Sequence, residues 1–220
     1  MPSWRGGGHW RSVRRSVSIL KDRYRSSSVA ELVALVWQAL FRSERVLIYC
    51  ISLQESHAVD RNGVDPAPIV KGELPELERA RKKLERVPWE FMCDIYDGVK
   101  EFFVFRDAGN GALGHISWLY YDGDPNQTLR LGARECEVRF CLTLPEYRGR
   151  GLYPGALRAI QRYLKRRGYE RCFICVRDDN RSSIRGIEKS GFRPAGRTHL
   201  RKIFGFPIGG RRDTMYLKET

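Results

Sequence analysis

Acidic residues are scarce in this 220-residue chain. It contains 26 Asp and Glu residues against 40 Lys and Arg residues, which gives a net charge of +14. Such a charge attracts an anionic partner, and a phosphorylated cofactor, a nucleic acid or an anionic membrane surface would all qualify. A hydrophobic content of 42% with 11% aromatic residues excludes a wholly disordered chain and indicates one globular domain with extensions.

The chain also lacks a hydrophobic run long enough to cross a membrane. Its most apolar stretch, residues 29–41, would be about 20 Å long as a helix, whereas a bilayer crossing needs roughly 20 residues. Residues 1–28 before it are basic and rich in serine and glycine. We predict a flexible basic tail over 1–28 and an apolar helical extension over 29–44, which leaves room for a homodimer. A transit peptide and a peripheral membrane contact through 1–41 are the less favoured alternatives.

The six cysteines form no recognisable metal motif. Cys172 and Cys175 have the spacing of a metal or redox pair, but zinc needs a second pair of ligands that the sequence does not offer. Both lie in an apolar run typical of a strand, where residues three apart point to opposite faces. Cys136 and Cys141 are five residues apart, so on a strand they would also point to opposite faces. We therefore predict buried thiols without a metal, which suit a reducing cytoplasm.

A strand, a glycine turn and a helix follow one another between residues 137 and 167. Residues 137–144 alternate in polarity, which predicts a strand. The apolar residues predicted for one face are Val138, Phe140, Leu142 and Leu144. The polar residues predicted for the other face are Glu137, Arg139 and Thr143. From residue 154 the apolar residues recur at helical spacing, and Pro154 is tolerated in a first helical turn.

The turn between them has the features of an anion site. The first backbone amides of a helix lack internal partners, and the helix dipole adds a partial positive charge there. Gly149 and Gly151 let a ligand approach the backbone closely, and Arg148 and Arg150 add full charges. A phosphate or pyrophosphate is the expected occupant.

This turn resembles the signature of the GNAT acyltransferase superfamily, Arg/Gln-x-x-Gly-x-Gly/Ala between a strand and a helix. Arg148 and Gly151 fill that pattern, although Tyr153 replaces its usual Gly or Ala. Residues 180–192 resemble the family's Asn-x-x-Ser/Ala helix and Gly-Phe exit turn, at the expected distance. The resemblance covers roughly residues 45–218.

The resemblance implies an α+β fold for a domain of residues 45–220, with a central, mostly antiparallel mixed sheet flanked by helices. The predicted elements follow the order that this fold requires: a strand, two helices, three strands, a helix, a strand, a helix and two strands. We expect the last two strands to turn at Gly209-Gly210.

The resemblance also implies an N-acyltransferase that takes an acetyl group from acetyl-CoA and passes it to an amine by direct attack, without a metal. The amine would belong to a small molecule or a protein. The residues implied for acetyl-CoA binding are Leu142, Thr143 and Leu144 along the pantetheine arm, Arg148, Gly149, Arg150, Gly151, Leu152 and Tyr153 around the pyrophosphate, and Asn180 and Ser183 near the reactive end.

Glu137 is the candidate general base. An amine with a lysine-like pKa near 10.4 is mostly protonated at pH 7, so a base that removes a proton, directly or through water, would raise the rate. Glu137 matches where some family members place a catalytic glutamate. The alternative is a carboxylate paired with Arg139 or solvated. Many family members also have a tyrosine about five residues before the Gly-Phe pair that acts as general acid and protonates the leaving thiolate. Ile187 stands at that position here, so the acid would be Tyr153 or Cys141, or the thiolate would leave without one.

Two other functions remain compatible with the sequence. One is a catalytically silent sensor or scaffold that binds acyl-CoA. The other is a nucleic-acid-binding protein that uses the basic tail. The chain lacks interleaved basic and aromatic residues and any recognisable nucleic-acid module, which argues against specific nucleic-acid binding.

Overall fold

The structure is a computed structural model that describes residues 42–54, 68–125, 127–203 and 206–208. Side chains are described for 45–54, 68–125 and 127–198. The predicted basic tail, the apolar segment 29–41 and Gly209-Gly210 lie outside the described residues, so what we expect of them stays a prediction.

Eight strands and four α-helices make up the described part of the chain. The strands are β1 (Arg42–Ser52), β2 (Ile69–Lys71), β3 (Phe102–Arg106), β4 (Leu113–Tyr120), β5 (Glu135–Thr143), β6 (Arg171–Arg177), β7 (Arg193–Ile203) and β8 (Phe206–Ile208). The helices are α1 (Leu74–Lys83), α2 (Cys93–Tyr96), α3 (Leu152–Arg166) and α4 (Arg181–Lys189), with short 3-10 turns at Trp89–Met92 and Pro145–Tyr147.

The strands form a single sheet in the order β2-β3-β4-β5-β6-β1-β7-β8. Strands β5 and β6 pair in parallel, and every other described pair is antiparallel. This arrangement confirms the predicted α+β fold with a mostly antiparallel mixed sheet.

One predicted boundary needs correction. Residues 42–44, which we placed in the helical extension, belong to β1 because they pair with β7. The error arises because the pairing partner decides where a strand begins, and the local sequence does not contain that partner. At the other end of the described chain, β7 and β8 pair antiparallel, with Ile203 opposite Phe206.

Helix α3 packs on the sheet through the apolar stripe that its spacing predicts. Leu157, Ile160 and Leu164 are buried in the same cluster as Ile184 and Ile187 of α4. Burying one such side chain stabilises the fold by roughly 1.5–3 kcal/mol. The two helices therefore cover one face of the sheet, where the N-terminus of α3 carries the glycine turn.

A β-bulge interrupts β5 and overturns its predicted face assignment. The register with β4 shifts between Ile116 and Trp118, and Phe140 has a φ of +50°. Such a bulge sets two residues against one and reverses the alternation that follows. Phe140 and Leu142 consequently lie in a different core cluster from Val138, so the prediction that these three share a face is wrong.

The bulge also changes one cysteine prediction. Cys172 and Cys175 belong to different clusters, which confirms that they face opposite ways. Cys136 and Cys141 contact the same cluster, because the bulge lies between them, so their predicted separation is wrong. None of the six cysteines forms a disulfide bond.

Strands β5 and β6 separate beyond their first residues. They pair only from Glu135 to Val138 and from Arg171 to Ile174. Beyond that point β5 remains paired with β4 as far as Thr143, while β6 remains paired with β1. The edge of β5 that follows Val138 therefore has no strand partner among the described residues. Within the same residues, no helix is long and apolar enough to cross a bilayer.

Candidate active site

The glycine turn forms an open cradle at the start of α3. Gly151 is the N-cap of the helix with a φ of +71°, and Gly149 has a φ of +78°. Glycine adopts such angles without the strain that a side chain would cause. A Cβ atom added to Gly149 would meet nothing within 4 Å, so the space above the turn is open.

The backbone of this cradle presents a row of unused donors. The amides of residues 149–153 donate to no acceptor in the described part of the chain. At the rim, the exposed Arg148 Nε donates to the carbonyl oxygen of Thr143 at 3.2 Å. The exposed Arg150 Nη2 donates to the carbonyl oxygen of Glu146 at 3.1 Å. Unpaired amides and two guanidinium groups at the positive end of a helix fit a phosphate or pyrophosphate group.

The segment before the cradle is held tightly to β4. The amide of Leu144 donates to the carbonyl oxygen of Gly114 at 2.9 Å. The ring of Tyr147 covers Gly114, where an added Cβ atom would lie 2.6 Å from the Tyr147 Cγ atom. The close approach of this ring to the backbone of β4 fixes the position of the turn relative to the sheet.

Asn180 and Ser183 lie at the first turn of α4. The Oδ1 atom of Asn180 accepts from the Ser183 amide at 3.2 Å and from the Ser182 hydroxyl at 3.0 Å. Asn180 is thus the N-cap of this helix, a role for which asparagine is strongly preferred. A further role beside the reactive end of acetyl-CoA stays a prediction.

Glu137 is buried inside the protein. Its side chain is 0% exposed, which excludes the solvated alternative. Its Oε2 atom accepts from the amides of Thr128 at 2.9 Å and Leu129 at 3.4 Å. Its Oε1 atom lies 3.8 Å from Arg139 Nε. Among the described residues, neither Oε1 nor the buried Nη1 of Arg139 has a hydrogen-bond partner.

Aromatic rings surround Arg139 on the same side of β5. Its guanidinium carbon lies 4.6 Å from the ring centre of Phe140 and 5.4 Å from that of Tyr120. The ring of Trp89 contacts Phe140 edge-on at 4.5 Å. This cluster could not be predicted from the sequence, because Trp89 is distant in the chain and Phe140 reaches it only through the bulge.

A chain of polar side chains, also missed, lies under α3. His115 Nδ1 is 2.7 Å from Thr143 Oγ1, and His115 Nε2 is 2.8 Å from Ser117 Oγ. His115 is fully buried, and burial lowers its pKa from 6.5 to about 3. The imidazole is therefore neutral at physiological pH. Alternation within β4 places His115 and Ser117 on one face, but no sequence signal joins them to Thr143.

The buried histidine predicts a stability that depends on pH. Because the pKa of His115 is lower in the folded than in the unfolded chain, the unfolded chain binds more protons between pH 6.5 and pH 3. Stability should therefore be complete above pH 6.5 and fall by about 2 kcal/mol between pH 7 and pH 5. Urea unfolding at these pH values would measure the loss. A His115→Gln chain should lose less over the same interval, and equal losses in the two chains would contradict the prediction.

A second concave surface lies away from the cradle. A groove of about 270 Å³ runs between β2 and the C-terminal half of α3, and Lys71, Phe103 and Tyr163 contribute to its walls. It contains none of the predicted site residues. No group of histidine, cysteine and acidic side chains in the described ranges could hold a metal ion.

Comparison with known proteins gives a family match over this region. The family model described as "Acetyltransferase (GNAT) domain" matches residues 64–193, which include Glu137, the glycine turn and α4. A comparison with curated proteins found no significant match.

Three solved structures illustrate the similarity. A putative GNAT-family acetyltransferase from Novosphingobium aromaticivorans is 26% identical and aligns over 72% of this chain and 63% of its own, with a TM-score of 0.49. A GNAT-family acetyltransferase from Colwellia psychrerythraea is 13% identical over 78% and 61%, with a TM-score of 0.51. A GCN5-related glucosamine N-acetyltransferase region of a fungal GH3 β-N-acetylglucosaminidase is 16% identical over 80% and 23%, also with a TM-score of 0.51.

This chain spans less than two thirds of the length of each of those three proteins. The family model, in contrast, covers more than half of this chain, and the mixed sheet, the glycine turn and the two helices beside it agree with the fold that the match implies. The chain belongs to the GNAT acetyltransferase family.

Proposed function

We propose that this protein is an N-acetyltransferase that transfers an acetyl group from acetyl-CoA to an amine of a small molecule or a protein. The observation that carries the proposal is the cradle, where unpaired amides and two positive-φ glycines lie at the start of α3 inside the family match. Acetyl-CoA would supply the activated thioester, and the protein would supply binding, orientation and proton transfer.

The cradle would hold the pyrophosphate of acetyl-CoA. The amides of residues 149–153 would donate to its oxygens, and Arg148 and Arg150 would swing from their carbonyl partners to pair with its charge. The unpaired edge of β5 supports a backbone contact between residues 142–144 and the pantetheine arm. Asn180 and Ser183 would border the arm from the start of α4.

Glu137 would remove the proton from the amine. Its buried carboxylate cannot meet a bulky acceptor directly, so we propose that a water molecule at its Oε1 atom carries the proton. Arg139 Nε lies 3.8 Å from Oε1 and would help to hold the carboxylate in place. A general base of this kind contributes roughly 10²–10⁴-fold to the rate.

The test combines calorimetry with a panel of amines. Titration with acetyl-CoA should show saturable binding, and mass spectrometry should then show enzyme-dependent acetylation of at least one amine class. The panel should contain peptides with free α-amino groups, lysine side chains, aminated sugars and polyamines. Saturable binding without any product would favour a silent acyl-CoA sensor, a second candidate that the buried Glu137 and the Ile187 substitution support. Absence of binding would overturn both.

We propose a reducing compartment such as the cytoplasm, because the protein has six cysteines and none of them forms a disulfide bond. A homodimer through the apolar segment 29–41 remains part of the proposal, with a peripheral membrane contact as the less favoured alternative. Gel filtration of the full chain and of a chain without residues 1–41 would test the homodimer.

A further inference from the structure

The groove between β2 and the C-terminal half of α3 has a positively charged lining. Its volume is about 270 Å³, and the cations that line it are Lys71, Arg162 and Arg166. No acidic side chain is among the described residues around it. The remainder of the lining is mostly apolar and includes Phe103 and Ala159. Such a surface fits a ligand that combines carboxylates with an apolar group.

Neighbouring acids do not cancel this positive charge. Lys71 Nζ contacts Glu101 Oε1 at 2.9 Å, and Arg167 Nη1 contacts Glu101 Oε2 at 2.8 Å. One carboxylate is thus shared by two cations, and the three groups together remain positive. Arg166 is exposed and forms no ion pair with any residue in the described ranges. An anion that approaches Arg166 therefore meets an attractive charge and displaces no acid from the described part of the protein.

The strand beside the groove has an open outer edge. β2 is the last strand on its side of the sheet, so no further strand pairs with it within the described ranges. On its inner side, the amide of Gly72 donates at 2.8 Å to the carbonyl oxygen of Phe102, which is its opposite residue when the register of β2 and β3 is continued. Hydrogen-bonded and non-bonded pairs alternate along an antiparallel ladder. Val70 therefore bonds to β3, whereas Ile69 and Lys71 direct their backbone groups outward.

The two outward-directed residues also line the groove. The Lys71 side chain lies on the α3 side of the sheet, where its Nζ atom is 3.2 Å from the Tyr163 hydroxyl. Alternation along the strand places Ile69 on the same side. Between them, Val70 is 42% exposed, a large fraction for an apolar side chain in this protein. An extended segment beside β2 would pair with its backbone and place every second side chain in the groove.

We propose that β2 binds an acidic segment of a partner protein, which adds to the sheet as a further strand. An apolar side chain of this segment would pack on Phe103 and Ala159, and carboxylates on either side of it would pair with Lys71 and Arg166. Backbone pairing requires a regular row of amides and carbonyl groups, which a peptide has and a nucleic acid lacks. The open edge of β2 therefore favours a peptide over the other anionic partners that a net charge of +14 attracts.

Fluorescence anisotropy of a labelled peptide tests the proposal without acetyl-CoA, and so independently of the proposed function. The probe Thr-Glu-Thr-Leu-Thr-Glu-Thr presents both acids and the leucine on one face when it is extended. It should bind the full chain saturably, and the same peptide with Lys in place of Glu should not. Arg166→Glu should weaken binding by about three- to tenfold, because an attraction becomes a repulsion.

Lys165→Glu is the matched control for the charge reversal. Lys165 precedes Arg166 on α3 and is also exposed, but it does not line the groove. Its reversal changes the net charge by the same amount and should alter the affinity by less than about twofold, because salt screens charges that lie apart. Equal losses in the two variants would attribute binding to the net charge of the chain and would overturn the proposal.

Two N-methylated probes test the strand pairing itself. Alternate residues of an extended peptide direct their N–H groups to opposite edges, so a methyl group on the leucine nitrogen and one on the nitrogen of the preceding threonine lie at different edges. Only one of these two peptides should lose affinity. Equal affinities, or no binding of the unmethylated probe, would contradict strand addition at β2. Binding of a labelled oligouridylate in place of the peptide would make the groove a nucleic-acid surface and would also overturn the proposal.

Discussion

Gly149→Leu is expected to abolish the stabilisation that acetyl-CoA gives the wild-type protein. Ligand at 100 times its dissociation constant stabilises a folded chain by about 2.7 kcal/mol, which raises the melting temperature by roughly 5–11 °C at this size. The leucine side chain would project into the open space above the cradle, where a Cβ atom now meets nothing within 4 Å. Differential scanning fluorimetry with and without acetyl-CoA measures the shift.

Gly168→Leu provides the matched control. Gly168 follows α3 at its other end, has a φ of +77° against +78° for Gly149, and also leaves open space for a Cβ atom. Both variants therefore carry a similar left-handed backbone strain of about 1–2 kcal/mol and should melt at similar temperatures without ligand. Only the Gly149 variant should lose the ligand-induced shift. If both variants keep the shift, the glycine turn is not the acetyl-CoA site.

The cradle could be predicted from the sequence because its signals are local. A positive-φ glycine, a helix N-terminus and flanking arginines are all encoded within residues 148–153, and their physical consequences do not depend on distant partners. The apolar stripe of α3 is similarly local, and the structure confirms it through Leu157, Ile160 and Leu164. The predicted order of strands and helices rested partly on the family resemblance, and it did not include β2.

The bulge at Phe140 could not be predicted, because alternation assumes an uninterrupted ladder. Nothing in residues 137–144 indicates that two residues will oppose one residue of β4. The consequence extends to the site, since the bulge places Cys141 beneath α3 and Phe140 beside Arg139. Faces predicted beyond a bulge are reversed even when the strand itself is predicted correctly.

The contact between Tyr153 and Gly186 could not be predicted from the sequence either. Read alone, Tyr153 is a large residue where the family signature has a small one, and it argues against a working cradle. The structure shows that α4 compensates, because Gly186 leaves the space that the ring fills. Such compensation joins residues on two helices, and a single sequence contains no signal that connects them.

Glu137→Gln is expected to lower kcat by about 10²–10⁴-fold and to leave the affinity for acetyl-CoA unchanged. The amide keeps an oxygen that can accept from Thr128 and Leu129, so the surrounding loop should stay in place. It loses the charge and the basicity that proton removal needs. Single-turnover kinetics with an amine identified from the panel would measure the effect on chemistry separately from binding.

Glu135→Gln separates catalysis from the general effect of removing a buried charge. Glu135 lies two residues earlier on β5, is also buried, accepts from the Gly132 amide at 2.7 Å and pairs with Arg171. Its neutralisation should alter stability but leave kcat within a fewfold of the wild type. Equal kcat losses in the two variants would show that both losses come from a disturbance of β5 and not from the loss of a general base. Unchanged turnover in Glu137→Gln would show that Glu137 is not the general base. Its role would then be to hold the 128–129 loop, because the glutamine amide oxygen preserves that contact.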